Sequence, residues 1–301
     1  MTARAVAPAS TLHALVAGVV DYAGLFPPAA LGMEEAVAGY AAYRTSPDAW
    51  MLGRFVVPTT RLDELAAAAA RHTTAPTAPW RLSVLVGDDV TADAVRIRAF
   101  NAAHARRLYV DVAELRAPPM AALEPSIAAL GTELTTFVEL PVAEEPREWL
   151  GAVKRAGARA KVRTGGVTAG AFPTAAQLAR FIVRCAECGV PFKATAGLHH
   201  PLRGEQKLTY APDAPSATMF GFVNVFLAGA FALIGLNEQD IATLLDERDA
   251  AALTFGQDSV RWREHTITLD QIRHARTSFA LAFGSCSFRE PVDDLRHLAL
   301  L

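Results

Sequence analysis

Lysine is nearly absent from this chain: four occur in 301 residues, against twenty-five arginines. Cysteine is equally sparse, with only Cys185, Cys188 and Cys286. An odd, thin set of thiols excludes a disulfide framework and fits a reducing compartment, so a cytoplasmic location is expected. Cys185-Ala-Glu-Cys188 falls late in a predicted helix with no second pair to complete a metal site, which makes packing its expected role. The stretch Met1 to Ser10 lacks the apolar run of a cleavable leader. The most apolar window, Phe220 to Leu236, is short for a membrane span and holds Asn224 and three glycines, so it reads as a buried helix. Neither sign of charge dominates, the formal net charge being -2, so neither nucleic acid nor membrane is an expected partner. No G-x-G-x-x-G follows the first strand, which argues against a dinucleotide fold.

What the chain does have is a regular alternation of short apolar runs and helical periods. An opening helix near Leu12 to Val19 leads to the run Val20 to Phe26 and the Pro27-Pro28 stop. Strands are then predicted at Arg54 to Pro58, Arg81 to Val86, Arg107 to Val112, Thr135 to Leu140, Ala160 to Thr164, Val190 to Ala196 and Ala252 to Gly256. Helices are predicted between them, at Met33 to Tyr43, Arg61 to Arg71, Ala92 to His104, Met120 to Leu130, Trp149 to Ala156, Thr174 to Cys188, Phe220 to Ile234 and Glu238 to Asp246. A last amphipathic helix is predicted at Leu269 to Ala282. Close to eight strand–helix units with short connections predict an α/β fold of the closed (β/α)8 type. The chain reads as one domain over residues 1–301, with a helical extension over about 1–19 and a C-terminal tail over about 284–301.

In such a barrel, reactive groups gather at the C-terminal ends of the strands. Two of the four lysines fall there, Lys161 in Ala-Lys-Val-Arg-Thr-Gly-Gly and Lys193 in Pro-Phe-Lys-Ala-Thr-Ala-Gly. A lysine inside an apolar strand must be paired or lose its proton. Period-two alternation aims Lys161 with Arg163, and Lys193 with Thr195, into the barrel, while Val162 and Ala194 face the helices. Two inward cations on adjacent strands are expected to depress each other's pKa, and burial acts the same way, which would make a lysine a nucleophile. The alternative is a pair of structural ion pairs. Asp21, Asp111 and Glu139 are expected at the ends of the first, fourth and fifth strands, Asp111 and Glu139 as proton shuttles or as charge balance.

The segment Gly197 to Thr218 is long for a barrel connection and is expected to be a lid or binding loop. It carries His199, His200 and Arg203, and Lys207 beyond, which suit a small anion or acid–base work. Adjacent histidines diverge, so a metal would need Asp21 or Glu139 as further ligands; neither a metal nor a cofactor is expected. Thr164-Gly165-Gly166 and Phe255-Gly256-Gln257 are corners able to cradle an anion through backbone N–H groups. Cys286, in Gly-Ser-Cys-Ser-Phe, is expected to pack within the tail, with no histidine nearby in sequence to activate it.

Between Arg107 and Asp258 the chain resembles the deoxyribose-phosphate aldolase group of class I aldolases. Val110-Asp111 is similar to that family's fourth-strand aspartate, Lys193-Ala194-Thr195-Ala196-Gly197 to its seventh-strand Lys-Ala-Ser-Gly-Gly, and Thr254-Phe255-Gly256 to its eighth-strand Arg-Phe-Gly. The sixth strand departs from it: the family's Schiff-base lysine precedes Thr-Ser-Thr-Gly, whereas here Arg163 precedes Thr164-Gly165-Gly166, and arginine forms no imine. The resemblance bears on fold and site location more than on reaction; two rare lysines facing one mouth make aldolase or lyase chemistry on a small carbonyl or carboxylated compound the expected activity, with Lys193 first and Lys161 second as the amine. Asp111 and Glu139 would then move protons, while Arg163, Thr195, His199, His200, Arg203 and Asp21 would line the substrate. A metal-assisted isomerase or hydrolase using His199 or His200 with a barrel carboxylate stays open, as does a non-catalytic binding barrel. Phosphorylation of the substrate is not decided, and a homo-oligomer is compatible with the apolar helices.

Overall fold

The computed structural model describes residues 9–73 and 78–301. Of the stretch Met1 to Ser10, residues 1–8 lie outside that description. Eight parallel strands close into a barrel: β1 (Val20–Tyr22), β2 (Leu52–Pro58), β3 (Trp80–Leu85), β4 (Leu108–Arg116), β5 (Thr135–Glu139), β6 (Arg159–Arg163), β7 (Phe192–Thr195) and, much later, β13 (Ala280–Ser285). β13 sits between β1 and β7 and completes the ring. Between β7 and β13 come a hairpin of β8 (Gly204–Lys207) and β9 (Ser216–Met219), and an antiparallel sheet of β10 (Leu253–Phe255), β11 (Ser259–Trp262) and β12 (His265–Thr268). The helices are α1 (Ser10–Val16), α2 (Met33–Arg44), α3 (Leu62–Ala69), α4 (Val90–His104), α5 (Met120–Leu130), α6 (Arg147–Arg155), α7 (Ala175–Cys188), α8 (Phe222–Leu233), α9 (Glu238–Leu245), α10 (Leu269–Ser278) and α11 (Arg289–His297). The (β/α)8 architecture is therefore the fold.

Local chemistry sets the boundaries. Thr174 and Gln177 form a reciprocal capping box that starts α7, and Gly189 ends it in the left-handed region that glycine tolerates. A second box, Thr268 with Gln271, starts α10. The apolar window becomes α8, buried on every side between the barrel and helices α7, α9 and α10. Its Asn224 donates to the carbonyls of Leu244 and Glu247 and accepts from the Arg203 backbone, so no polar group is stranded. Among the described residues no helix is long and apolar enough to cross a membrane.

Two expectations about the barrel's closure are overturned. The run Ala252 to Gly256 is not the eighth strand; it belongs to the antiparallel sheet, and its corner faces α1, where Thr11 Oγ1 donates to the Gly256 carbonyl and Ser10 Oγ to Gln257 Oε1. The predicted helix Leu269 to Ala282 stops at Ser278, and Ala280 opens β13. The buried Arg276 guanidinium makes that break possible, donating to the carbonyls of Leu15, Ala17, Ala280 and Leu281 across the barrel seam. The segment read as a tail from residue 284 thus carries the end of the last barrel strand and α11.

Candidate active site

The barrel interior holds an alternating chain of buried charge. Lys193 Nζ lies 2.7 Å from Asp21 Oδ2 and 2.6 Å from Glu114 Oε1. The other oxygen of Glu114 lies 2.8 Å from Lys161 Nζ, which also meets Glu139 Oε2 at 2.9 Å. Glu139 Oε1 in turn accepts from Arg163 Nε at 3.0 Å. Three cations thus balance three carboxylates in the order Asp21, Lys193, Glu114, Lys161, Glu139, Arg163. β6 and β7 hold the two lysines side by side, as register partners. Ser83 adds a third contact to Glu114, its hydroxyl 2.5 Å from Oε1.

For Glu114 and Lys193, burial alone would favour the neutral form, but pairing outweighs it. Burial pushes the Glu114 carboxyl up, yet the Lys161 and Lys193 ammoniums hold it far below the usual carboxylate range. Burial pushes Lys193 down, and Asp21 with Glu114 raise it above the ordinary lysine value. The expected depression of the Lys193 pKa is therefore overturned, because Asp21 and Glu114 both pair with it and Glu114 stands between it and Lys161. Its ammonium also lies over the Phe137 ring, 5.5 Å from the centroid. The second oxygen of Asp21 accepts from the Arg54 backbone at 2.8 Å. Gly53 leaves room for it, since a Cβ there would sit 2.4 Å from Asp21 Oδ1.

Above this chain, at the C-terminal ends of the strands, opens a cavity of about 330 Å³. Lys161, Glu114 and Arg163 stand at its floor, with Thr195 at the end of β7. The loop after β1 supplies Phe26 and the Pro27-Pro28 pair. The long segment after β7 folds over the mouth, bringing His199, His200, Lys207 from the end of β8 and Tyr210 from the connection of β8 to β9. Of the two predicted corners, Thr164-Gly165-Gly166 is at the cavity, where Gly166 lines it. Gly197, in the left-handed region, passes so close that a Cβ there would lie 2.9 Å from the Gly165 Cα.

The remaining wall comes from the end of β13 and the start of α11. Cys286 Sγ lies 3.9 Å from His199 Nε2, and His199 Nδ1 lies 2.8 Å from Glu290 Oε2. The Tyr210 hydroxyl donates to the same Glu290 oxygen at 3.0 Å and stands 3.7 Å from Cys286 Sγ. Burial lowers the His199 pKa, but its contacts with Cys286 and Glu290 push it up to about 9. Burial likewise pushes the Tyr210 phenol up, reinforced by Cys286 and Glu290. His200 turns the other way, its Nδ1 2.5 Å from Asp294 Oδ2.

Four expected placements change. Asp111 is not at the mouth: it lies toward the N-terminal end of β4, forked by Arg54 at 2.7 and 2.9 Å and held by Arg81. The strand pairing skips it, since Leu82 pairs with Val110 and Ser83 with Val112. Arg203 lines no part of the cavity; it pairs with Asp246 at 2.6 Å and lies over the Phe220 ring. Lys193 and Asp21 lie beneath the floor, each about 1% exposed. Cys286 does not merely pack in a tail, because the fold brings it a histidine from 87 positions away.

Sequence reading missed Glu114, Glu290 and Tyr210. The signal for Glu114 was the apolar run Val110 to Leu115, which continues past Val112 and carries one carboxylate near its end. Among the described residues no group of three His, Cys, Asp or Glu side chains is arranged to hold a metal ion. No family model matches the chain, and no curated protein matches it.

Proposed function

We propose that this barrel is an enzyme acting on a small carbonyl compound, making or breaking a carbon–carbon bond beside that carbonyl through an imine on Lys161. The observation that carries this reading is the position of Lys161: its Nζ stands at the cavity floor between two carboxylates, 2.8 Å from Glu114 and 2.9 Å from Glu139. An ammonium must shed a proton before it can attack, and both carboxylates are within reach to take it. Amine and carbonyl then condense with loss of water, and the cationic imine withdraws electrons from the adjacent bond. Glu139 returns or removes the proton at carbon. Lys193 keeps its own proton, lies beneath the floor and holds Glu114 in place, so it is a positioning residue.

Arg163 sets the substrate class. Glu139 engages Arg163 only through Nε, and the guanidinium is about half exposed at the mouth, which leaves its outer nitrogens for a substrate carboxylate. The lid residues exclude water from the imine. Borohydride reduction in the presence of small aldehydes, ketones and 2-oxo acids, followed by peptide mass mapping, tests the reading. A reduced adduct on the Lys161 peptide is expected, absent in Lys161→Arg, which keeps the charge but forms no imine. Labelling at no lysine with any of these compounds would overturn it.

A further inference from the structure

The Cys286 wall of the cavity is untouched by the imine reading, yet it is built like a reactive centre. A buried thiol and, four residues on, a carboxylate meet an imidazole from a distant part of the chain, whose far nitrogen faces the thiol and whose other nitrogen the carboxylate fixes. Nothing about packing requires this order: a cysteine kept for volume needs no oriented base beside it. The Glu290 carboxylate accepts from His199 Nδ1 and so leaves Nε2 turned toward sulfur, the relation that a base-activated nucleophile needs. Tyr210, also on Glu290, closes the group from the lid side.

We propose that Cys286 is a second covalent centre of this cavity: a thiol that gives its proton to His199 and adds through sulfur to the carbonyl carbon of a small aldehyde. The sulfur lone pair forms the C–S bond while the C=O π pair moves to oxygen. That oxygen takes the proton back from the His199 imidazolium, and the product is a neutral hemithioacetal. The reverse step restores thiol and aldehyde, so no oxidant, reductant or leaving group is involved. The Cys286 and Glu290 contacts raise the His199 pKa, which favours holding the proton on the imidazole once sulfur has given it up. The choice of aldehyde rests on the imine reading, since carbon–carbon cleavage beside a carbonyl releases one. Activation of the thiol does not rest on it.

Two measurements separate these parts. In the first, iodoacetamide alkylation of the folded full-length chain is followed by peptide mass mapping across pH 5 to 9. Cys286 is expected to react at least about tenfold faster than the partly exposed Cys188 below neutral pH, with that advantage lost in His199→Asn. Glu290, Tyr210, His200 and Lys207 face the same pocket, and Tyr22 lies near the sulfur, so Glu290→Gln and Tyr210→Phe are run beside it to assign the titration. A Cys286 that is inert, or that follows the pH dependence of a free thiol in both proteins, would overturn the proposal. In the second, carbonyl-labelled 13C acetaldehyde is added to Lys161→Arg, where no imine can form at that position. A tetrahedral carbon signal distinct from the hydrate is expected, and it should vanish when Cys286→Ser is added. Its absence despite a reactive thiol would overturn the aldehyde assignment alone, whatever borohydride trapping at Lys161 gives.

Discussion

Glu114 and Lys161 are bonded at 2.8 Å through the one carboxylate oxygen that Lys193 and Ser83 leave free. Neither residue can be altered without changing the charge seen by the other, and the shared carboxylate lies wholly inside the barrel. That arrangement sets the first prediction. Glu114→Gln leaves two buried ammoniums without their common anion, and a loss of about 3–5 kcal/mol is expected from breaking a buried pair on one side. Urea denaturation at pH 7 checks this. A change under about 1 kcal/mol would mean that Asp21 and Glu139 suffice as counter-ions.

The same carboxylate predicts the acid limb. Its folded pKa lies below the unfolded value, so its stabilisation is complete above the ordinary glutamate pKa, about 4.3, and is lost only as pH falls toward the depressed folded value. Wild type should therefore lose stability relative to Glu114→Gln on acidification below about pH 4. Denaturation midpoints of the two proteins, compared from pH 6 down to pH 3, give the result; parallel curves would remove Glu114 as the cause.

His199 has the opposite sign. Its folded pKa is raised from 6.5 to about 9, so its contribution is fully present below pH 6.5 and disappears as pH climbs through 9. Wild type is expected to lose stability steadily across that interval, while His199→Asn stays level there. Thermal midpoints in buffers of equal ionic strength separate the two.

Gly53 is expected to be intolerant of a methyl group. A Cβ at that position would press on Asp21 Oδ1, the atom that binds the Arg54 backbone, and displace the carboxylate that holds Lys193. Gly53→Ala should cost about 1–3 kcal/mol by overpacking. A melting temperature equal to wild type would show that Asp21 has room to move.

At the mouth, Arg163→Met should discriminate among substrates. Loss of a charged hydrogen bond to a carboxylate is worth about 1.5–3 kcal/mol, or roughly tenfold to a hundredfold in affinity. Borohydride trapping with a 2-oxo acid should need correspondingly more ligand, and trapping with a neutral aldehyde should not. Equal losses for both would assign Arg163 to holding Glu139 alone.

The sequence by itself determined the alternation of strands and helices, and with it the barrel. It also determined the inward aim of Lys161 and Lys193, because period-two geometry is local and each run is flanked by residues that can only be buried. The rarity of lysine drew attention to β6 and β7, which hold the two buried ammoniums. It could not say what those ammoniums would meet. Glu114 and Asp111 lie three positions apart on one apolar strand, and only the skipped pairing at Asp111 sends one carboxylate to the floor of the cavity and the other to the far end of the barrel. The eighth strand was hidden for a related reason: Phe279 to Phe283 suits a helix as well as a strand, and the choice falls to Arg276, which ties the seam to backbone carbonyls near β1. Cys286 meets His199 only once that strand is in the ring. Local propensity is a matter of neighbours in sequence, whereas the partners of a buried charge or thiol are set by barrel closure, which brings distant parts of the chain together.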